Sequence, residues 1–180
     1  MGKERRSMGF KLLGAVFVIF STGCIGFQCA QKLQDRVKDL YMIKKILAML
    51  MGEIQYANST FEEAFASIAA RVEEPWKGFM SGMSERLGEL SGQPFAQIWK
   101  EQVDKQLKRT ALASTDRQEL CALGEHLGYL DAAMQLGTIK LYLEQLEIKL
   151  AQLNEENGKK KKLYQYLGVM GGILITIVML

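Results

Sequence analysis

With 180 residues, the chain has room for one domain of ordinary size plus short appendages. Its formal net charge of +3 is unevenly spread: residues 30–158 carry 15 Lys/Arg against 19 Asp/Glu, so the excess positive charge all lies beside the two ends, where most of the uncharged apolar sequence lies. That excludes a nucleic-acid-binding stripe in the middle region, and three cysteines without metal-ligand spacing, Cys24, Cys29 and Cys121, exclude a disulfide framework.

Residues 1–11 form a basic N-terminal segment with Lys3, Arg5, Arg6 and Lys11. Residues 12–31 follow with 20 positions free of charge; at a helical rise of about 1.5 Å per residue they cover roughly 30 Å, the thickness of a bilayer core. This predicts a transmembrane helix. Ser21-Thr22-Gly23-Cys24 offers the alternative of a cleaved signal lipidated at Cys24. Ser21 stands where the usual lipid-attachment box has Leu, and the apolar character continues through Ile25, Gly26 and Phe27, so an uncleaved span fits better.

The middle region, 32–158, reads as all-α, because alternating runs of β-branched residues are absent from it. Leu33, Leu40, Leu47 and Ile54 recur every seven residues, with Val37 and Met51 as companions, which predicts a helix continuing to about Ala57. Thr60 with Glu63 forms a capping box that opens a second helix burying Phe61, Ala64, Phe65, Ile68 and Ala69. Pro75 starts a third with Trp76, Phe79, Met80, Met83 and Leu87 inward, and Ser91-Gly92 stops it. Pro94 starts a fourth, whose buried face is Phe95, Ile98, Trp99, Val103 and Leu107. Thr115 with Gln118 is the cap expected for a fifth, carrying Leu120, Leu123 and Leu127 and closed by Gly128. Asp131 caps a sixth, on which Leu136, Leu143, Leu150 and Ile139, Leu146, Leu153 make three heptads. A basic flank, 159–162, leads into 163–180, 18 uncharged residues that predict a second transmembrane helix.

Candidate chemistry is sparse. His126 is the only histidine, and there is no Gly-rich phosphate loop, Ser or Cys nucleophile motif or paired metal-binding histidines. The chain therefore reads as a non-enzyme without cofactor, metal or small-molecule substrate.

Three stretches carry a resemblance: Lys11-Leu12-Leu13-Gly14-Ala15-Val16; Glu53-Ile54-Gln55-Tyr56 followed by Glu63-Ala64-Phe65-Ala66-Ser67-Ile68-Ala69; and Gly124-Glu125-His126-Leu127-Gly128-Tyr129-Leu130-Asp131 with Gln135. In order and spacing the chain resembles the stage III sporulation protein AB family of endospore-forming bacteria, over nearly its whole length. It departs from that family in Ser59-Thr60-Phe61, which lacks the Pro common there, in Ala132 where an Arg often follows the Asp, and in Met1 to Ser7, which look like an extension before an alternative start at Met8.

The resemblance implies a six-helix bundle similar to the cytoplasmic F domain of type II secretion and type IV pilus platform proteins, flanked by the two spans. It implies a part of the sporulation channel between mother cell and forespore, set in the outer forespore membrane. The partners expected are the stage III sporulation protein AA ATPase and other stage III sporulation membrane proteins. The alternative is a membrane-tethered helical adaptor, or a lipoprotein, unrelated to sporulation. Lys32, Arg36, Lys38, Lys44, Lys45 and Lys159 to Lys162 outnumber the basic residues before the first span, which predicts a bundle facing the mother-cell cytoplasm. Span glycines such as Gly14, Gly26, Gly168 and Gly172 permit homo-oligomerisation and serve equally as filler. Glu53, Tyr56, Glu125 and Asp131 are the partner-interface candidates, with helix capping the competing role for Asp131.

Overall fold

The computed structural model describes residues 31–57, 59–89, 91–128 and 131–179, with side chains as far as Lys159. Six α-helices and no strand occur among the described residues. Helix α1 covers 31–52 and ends in a π-helical turn, Glu53–Ala57. It is followed by α2 (Phe61–Ala69), α3 (Trp76–Gly88), α4 (Phe95–Gln106) with a 3-10 turn at Leu107–Arg109, α5 (Ser114–Leu127) and α6 (Ala132–Met179). Asp35–Gln152 forms the compact bundle. Among the described residues, no helix is long and apolar enough to cross a membrane; of the predicted spans, residues 12–30 of the first and the side chains of 163–180 lie outside the described residues.

The expected faces of α2 to α5 are buried except at their edges, where Phe61, Leu87 and Phe95 are half-buried. Thr60 Oγ1 accepts from Glu63 N at 3.3 Å while Glu63 Oε2 accepts from Thr60 N at 3.1 Å, completing the capping box that starts α2. Thr60→Ala removes one half of it, and we expect a loss of about 1 kcal/mol in a denaturant melt. Pro94, extended and without an N–H to leave unpaired, precedes α4, and Gly92 makes the preceding turn in the left-handed region at φ 73°.

Trp99 is the hub of the core. Its ring lies 5.1 Å from Phe79, 5.7 Å from Phe95 and 6.1 Å from Phe65, and its Nε1 donates to Leu120 O at 2.8 Å, satisfying the one polar atom of the indole. This bond and the ring packing require α4 and α5 to approach closely, and Gly124 permits it: a Cβ there would run into Cδ1 and Cγ of Trp99.

Two helices differ from their sequence-based reading. On α1 the buried stripe is Val37, Leu40, Ile43, Ile46, Leu47 and Leu50, whereas Leu33, Met51 and Ile54 are only half-buried. A globular core takes a wider face than a two-helix seam, so the strict seven-residue spacing understates it. Helix α5 starts at Ser114, with Ala113 as its cap and Thr115 exposed. The carboxylate of Asp116 accepts from Ala113 N at 2.9 Å and takes the place of the expected Thr115 hydroxyl.

Asp116 also closes the bundle at this end. It is fully buried; Arg36 of α1 donates to both its oxygens, Nε at 2.7 Å and Nη2 at 2.8 Å, and Lys149 Nζ of α6 lies 3.2 Å away. Burial alone would raise its pKa, yet the hydrogen bonds from Arg36, Ala113 and Lys149 together outweigh it and hold the carboxyl below its usual range. Lys149 bonds Glu119 as well, and Lys44 Nζ donates to Glu147 at 2.6 Å, a second tie between α1 and α6. Asp39 Oδ2 accepts from Ala111 N at 2.7 Å and fixes the turn before α5, with burial raising its pKa.

Candidate partner-binding surface

The other end of the bundle is where α1, α3 and α5 finish and α2, α4 and α6 begin. The rings of Phe61 and Phe95 lie 5.0 Å apart, bringing together the starts of α2 and α4. Phe95 packs against Gly128, just past α5, where an added Cβ would lie 3.0 Å from Phe95 Cβ. The side chain of Glu62 covers Gly88 at the end of α3, and Gln135 Nε2 on α6 donates to Leu127 O at 3.0 Å. Carboxylates dominate this surface: Glu62, Glu63, Glu85, Glu89 and Glu125 are exposed. Arg86 is drawn to Glu89 at 2.6 Å, with Glu101 at 3.9 Å, and donates to Gln93.

All four interface candidates fall at this end, with different commitments. Tyr56, in the π-helical turn, is 82% exposed, the most exposed large hydrophobic side chain described. Glu125 is exposed near the end of α5. Glu53 points inward: its carboxylate accepts from Ser67 Oγ at 2.8 Å and Ser59 Oγ at 3.4 Å, with Arg71 Nη2 at 3.7 Å, and thereby fastens the end of α1 to α2. Asp131 accepts from Met134 N at 2.9 Å and caps α6. Tyr56 and Glu125 are therefore available to a partner, while Glu53 and Asp131 build the frame that presents them.

Catalytic equipment does not gather here. His126 is exposed on α5, and no group of three metal-ligating side chains occurs among the described residues. Burial and the nearby Asp104 raise the pKa of the Cys121 thiol, which disfavours the reactive thiolate. A small void under α1, bounded by Ile43, Leu47, Trp76, Phe79, Trp99 and Leu120, is apolar throughout.

Fold and surface together define a small all-α bundle protein whose elaborated face is an acidic, Tyr-bearing end. The sequence model of the family described as Stage III sporulation protein AB matches residues 11–180, so the chain belongs to the stage III sporulation protein AB family. Stage III sporulation protein AB of Bacillus subtilis (strain 168) is 28% identical over 170 residues, covering 94% of this chain and 99% of that protein. A solved structure of stage III sporulation protein AB superposes with a TM-score of 0.63 at 25% identity, over 69% of this chain and 97% of the solved one.

Proposed function

We propose that this protein is a non-enzymatic membrane component of the sporulation channel, coupling a cytoplasmic ATPase, stage III sporulation protein AA, to the membrane assembly. Spans at 12–31 and 163–180 hold the bundle to the outer forespore membrane, and the acidic end faces the mother-cell cytoplasm. The observation that carries the reading is the family match across residues 11–180, which includes both uncharged runs as well as the bundle. The surface supports it, since an exposed aromatic at an end of the bundle that also carries exposed carboxylates suits a basic protein partner: the ring supplies apolar area, and the charges steer encounter and fix register.

Binding of the full chain, reconstituted in lipid nanodiscs, to the purified ATPase tests the proposal. Tyr56→Ala with Glu125→Lys should weaken binding at least tenfold at unchanged melting temperature, because both side chains are exposed and outside the core. An ATPase that ignores the wild-type chain, or binds the double variant equally well, would sink the proposal.

A further inference from the structure

Of the heptads read from the sequence of α6, Ile139, Leu146, Leu150 and Leu153 are buried and make its core face, while Leu136 and Leu143 are half-buried. A second set runs along the same helix at the same seven-residue spacing on the opposite side. Met134 is 57% exposed, Leu141 57% and Ile148 62%. Between them stand Thr138, Gln145 and Gln152, so the spacing alternates four and three residues along 134–152, the pattern of a seam that accepts another helix. Single exposed apolar residues are ordinary, but three in seam register, roughly opposite the core in a helical wheel of 100° per residue, are not.

We propose that this seam pairs α6 with α6 of a second copy of the chain, in parallel and about a two-fold axis. Its chemistry selects its own kind. No charged residue lies in it: Lys140, Glu144 and Glu147 sit to one side, and Lys149 turns inward to Asp116. A parallel pair sets each apolar residue against its counterpart, and Gln145 against Gln145 and Gln152 against Gln152 join a donor to an acceptor in both directions. An amide at such a position fixes register, as polar residues do in coiled coils. From Met134 to Gln152 the seam runs about 27 Å, too short to bury the ~1,200 Å² of a freely diffusing dimer. Pairing therefore depends on copies already concentrated and aligned. The parallel orientation rests on the membrane reading above, because two copies whose C-terminal segments enter one bilayer must point the same way.

The test is cysteine scanning of the full chain in phosphatidylglycerol and phosphatidylethanolamine vesicles, with Cys24, Cys29 and Cys121 replaced by Ala. Leu141→Cys and Ile148→Cys should each give at least tenfold more oxidised dimer than Lys140→Cys and Glu147→Cys, which lie off the seam. All four positions are exposed, and the Lys44–Glu147 bridge that Glu147→Cys removes is a solvent-exposed pair of small worth, so folding is preserved, and circular dichroism checks it. Cross-linking at 141 without 148 overturns the parallel pairing. Cross-linking at neither, or equally at all four, overturns the seam, and a different protein seated there gives the former. Flotation of the same vesicles scores the membrane reading separately.

Discussion

Asp116→Ala lowers the stability of the bundle by about 3–5 kcal/mol, the range for removing one partner of a buried ion pair. The loss has two parts. Arg36 and Lys149, both three-quarters buried, are left without their shared carboxylate, and Ala113 N loses the acceptor that starts α5. At a few degrees of melting temperature per kcal/mol for a domain of this size, the midpoint should fall by about 10 °C or more. Arg36→Met combined with Asp116→Leu should recover part of the loss, because it removes the stranded guanidinium and leaves Lys149 its bond to Glu119. The dependence on pH has a definite sign. The folded carboxyl titrates below its unfolded value of about 3.9, so the stability it contributes is present above that value and disappears as pH falls through the lower folded pKa. Asp39, with a raised pKa, contributes in the opposite sense: its share is present below the unfolded value and lost as pH rises through the folded one. The gap between wild type and Asp116→Asn is therefore widest above about pH 5 and narrows in acid, which a series of circular dichroism melts will read. A constant gap down to pH 2 would contradict the assignment.

Gly124→Ala is the second large effect, although the substitution adds a single methyl group. In an exposed helix this exchange gains about 1 kcal/mol of propensity. Here the new Cβ would collide with Cδ1 and Cγ of Trp99, and the indole cannot retreat because Phe65, Phe79 and Phe95 surround it. Pushing α5 away instead stretches the bond from Trp99 Nε1 to Leu120 O. Overpacking of this kind costs about 1–3 kcal/mol, and with the contact well inside van der Waals distance we expect a net loss near ~2 kcal/mol. The diagnostic result is coupling. Trp99→Phe should be costly in the wild type and markedly less so in the Gly124→Ala background, with an interaction of about 1 kcal/mol or more in a double-mutant cycle. Simple additivity would show that the two residues do not share one space.

These two sites mark the boundary of what local sequence reveals. Helices α2 to α4 are legible because their apolar residues repeat at helical spacing and each begins at a local signal: the Thr60 to Glu63 box, Pro75 and Pro94. The role of Asp116 is hidden because its partners lie 80 residues before it and 33 after it. An Asp in a first helical turn already has an ordinary explanation in the helix dipole, and nothing local points to Arg36. Gly124 is legible only as part of a family motif, since the need for a missing side chain comes from the indole across the helix pair. The outer seam of α6 is visible in principle. Met134, Leu141 and Ile148 repeat as regularly as the core set, but one stripe already accounts for the helix and masks the second. At the candidate surface, Tyr56 and Glu125 remain open to a partner, whereas Glu53 and Asp131 carry hydrogen bonds that spacing alone does not reveal.

In the proposed arrangement both flanking segments hold the helical bundle to one bilayer, with its acidic end in the mother-cell cytoplasm. Labelling of a Glu125→Cys chain, with its native cysteines replaced by Ala, by a membrane-impermeant maleimide in sporulating cells tests it most directly. Modification is expected only after the mother cell is permeabilised, with the chain retained in the membrane pellet after alkaline carbonate extraction. Modification in intact cells, or release of the chain by carbonate, would contradict it.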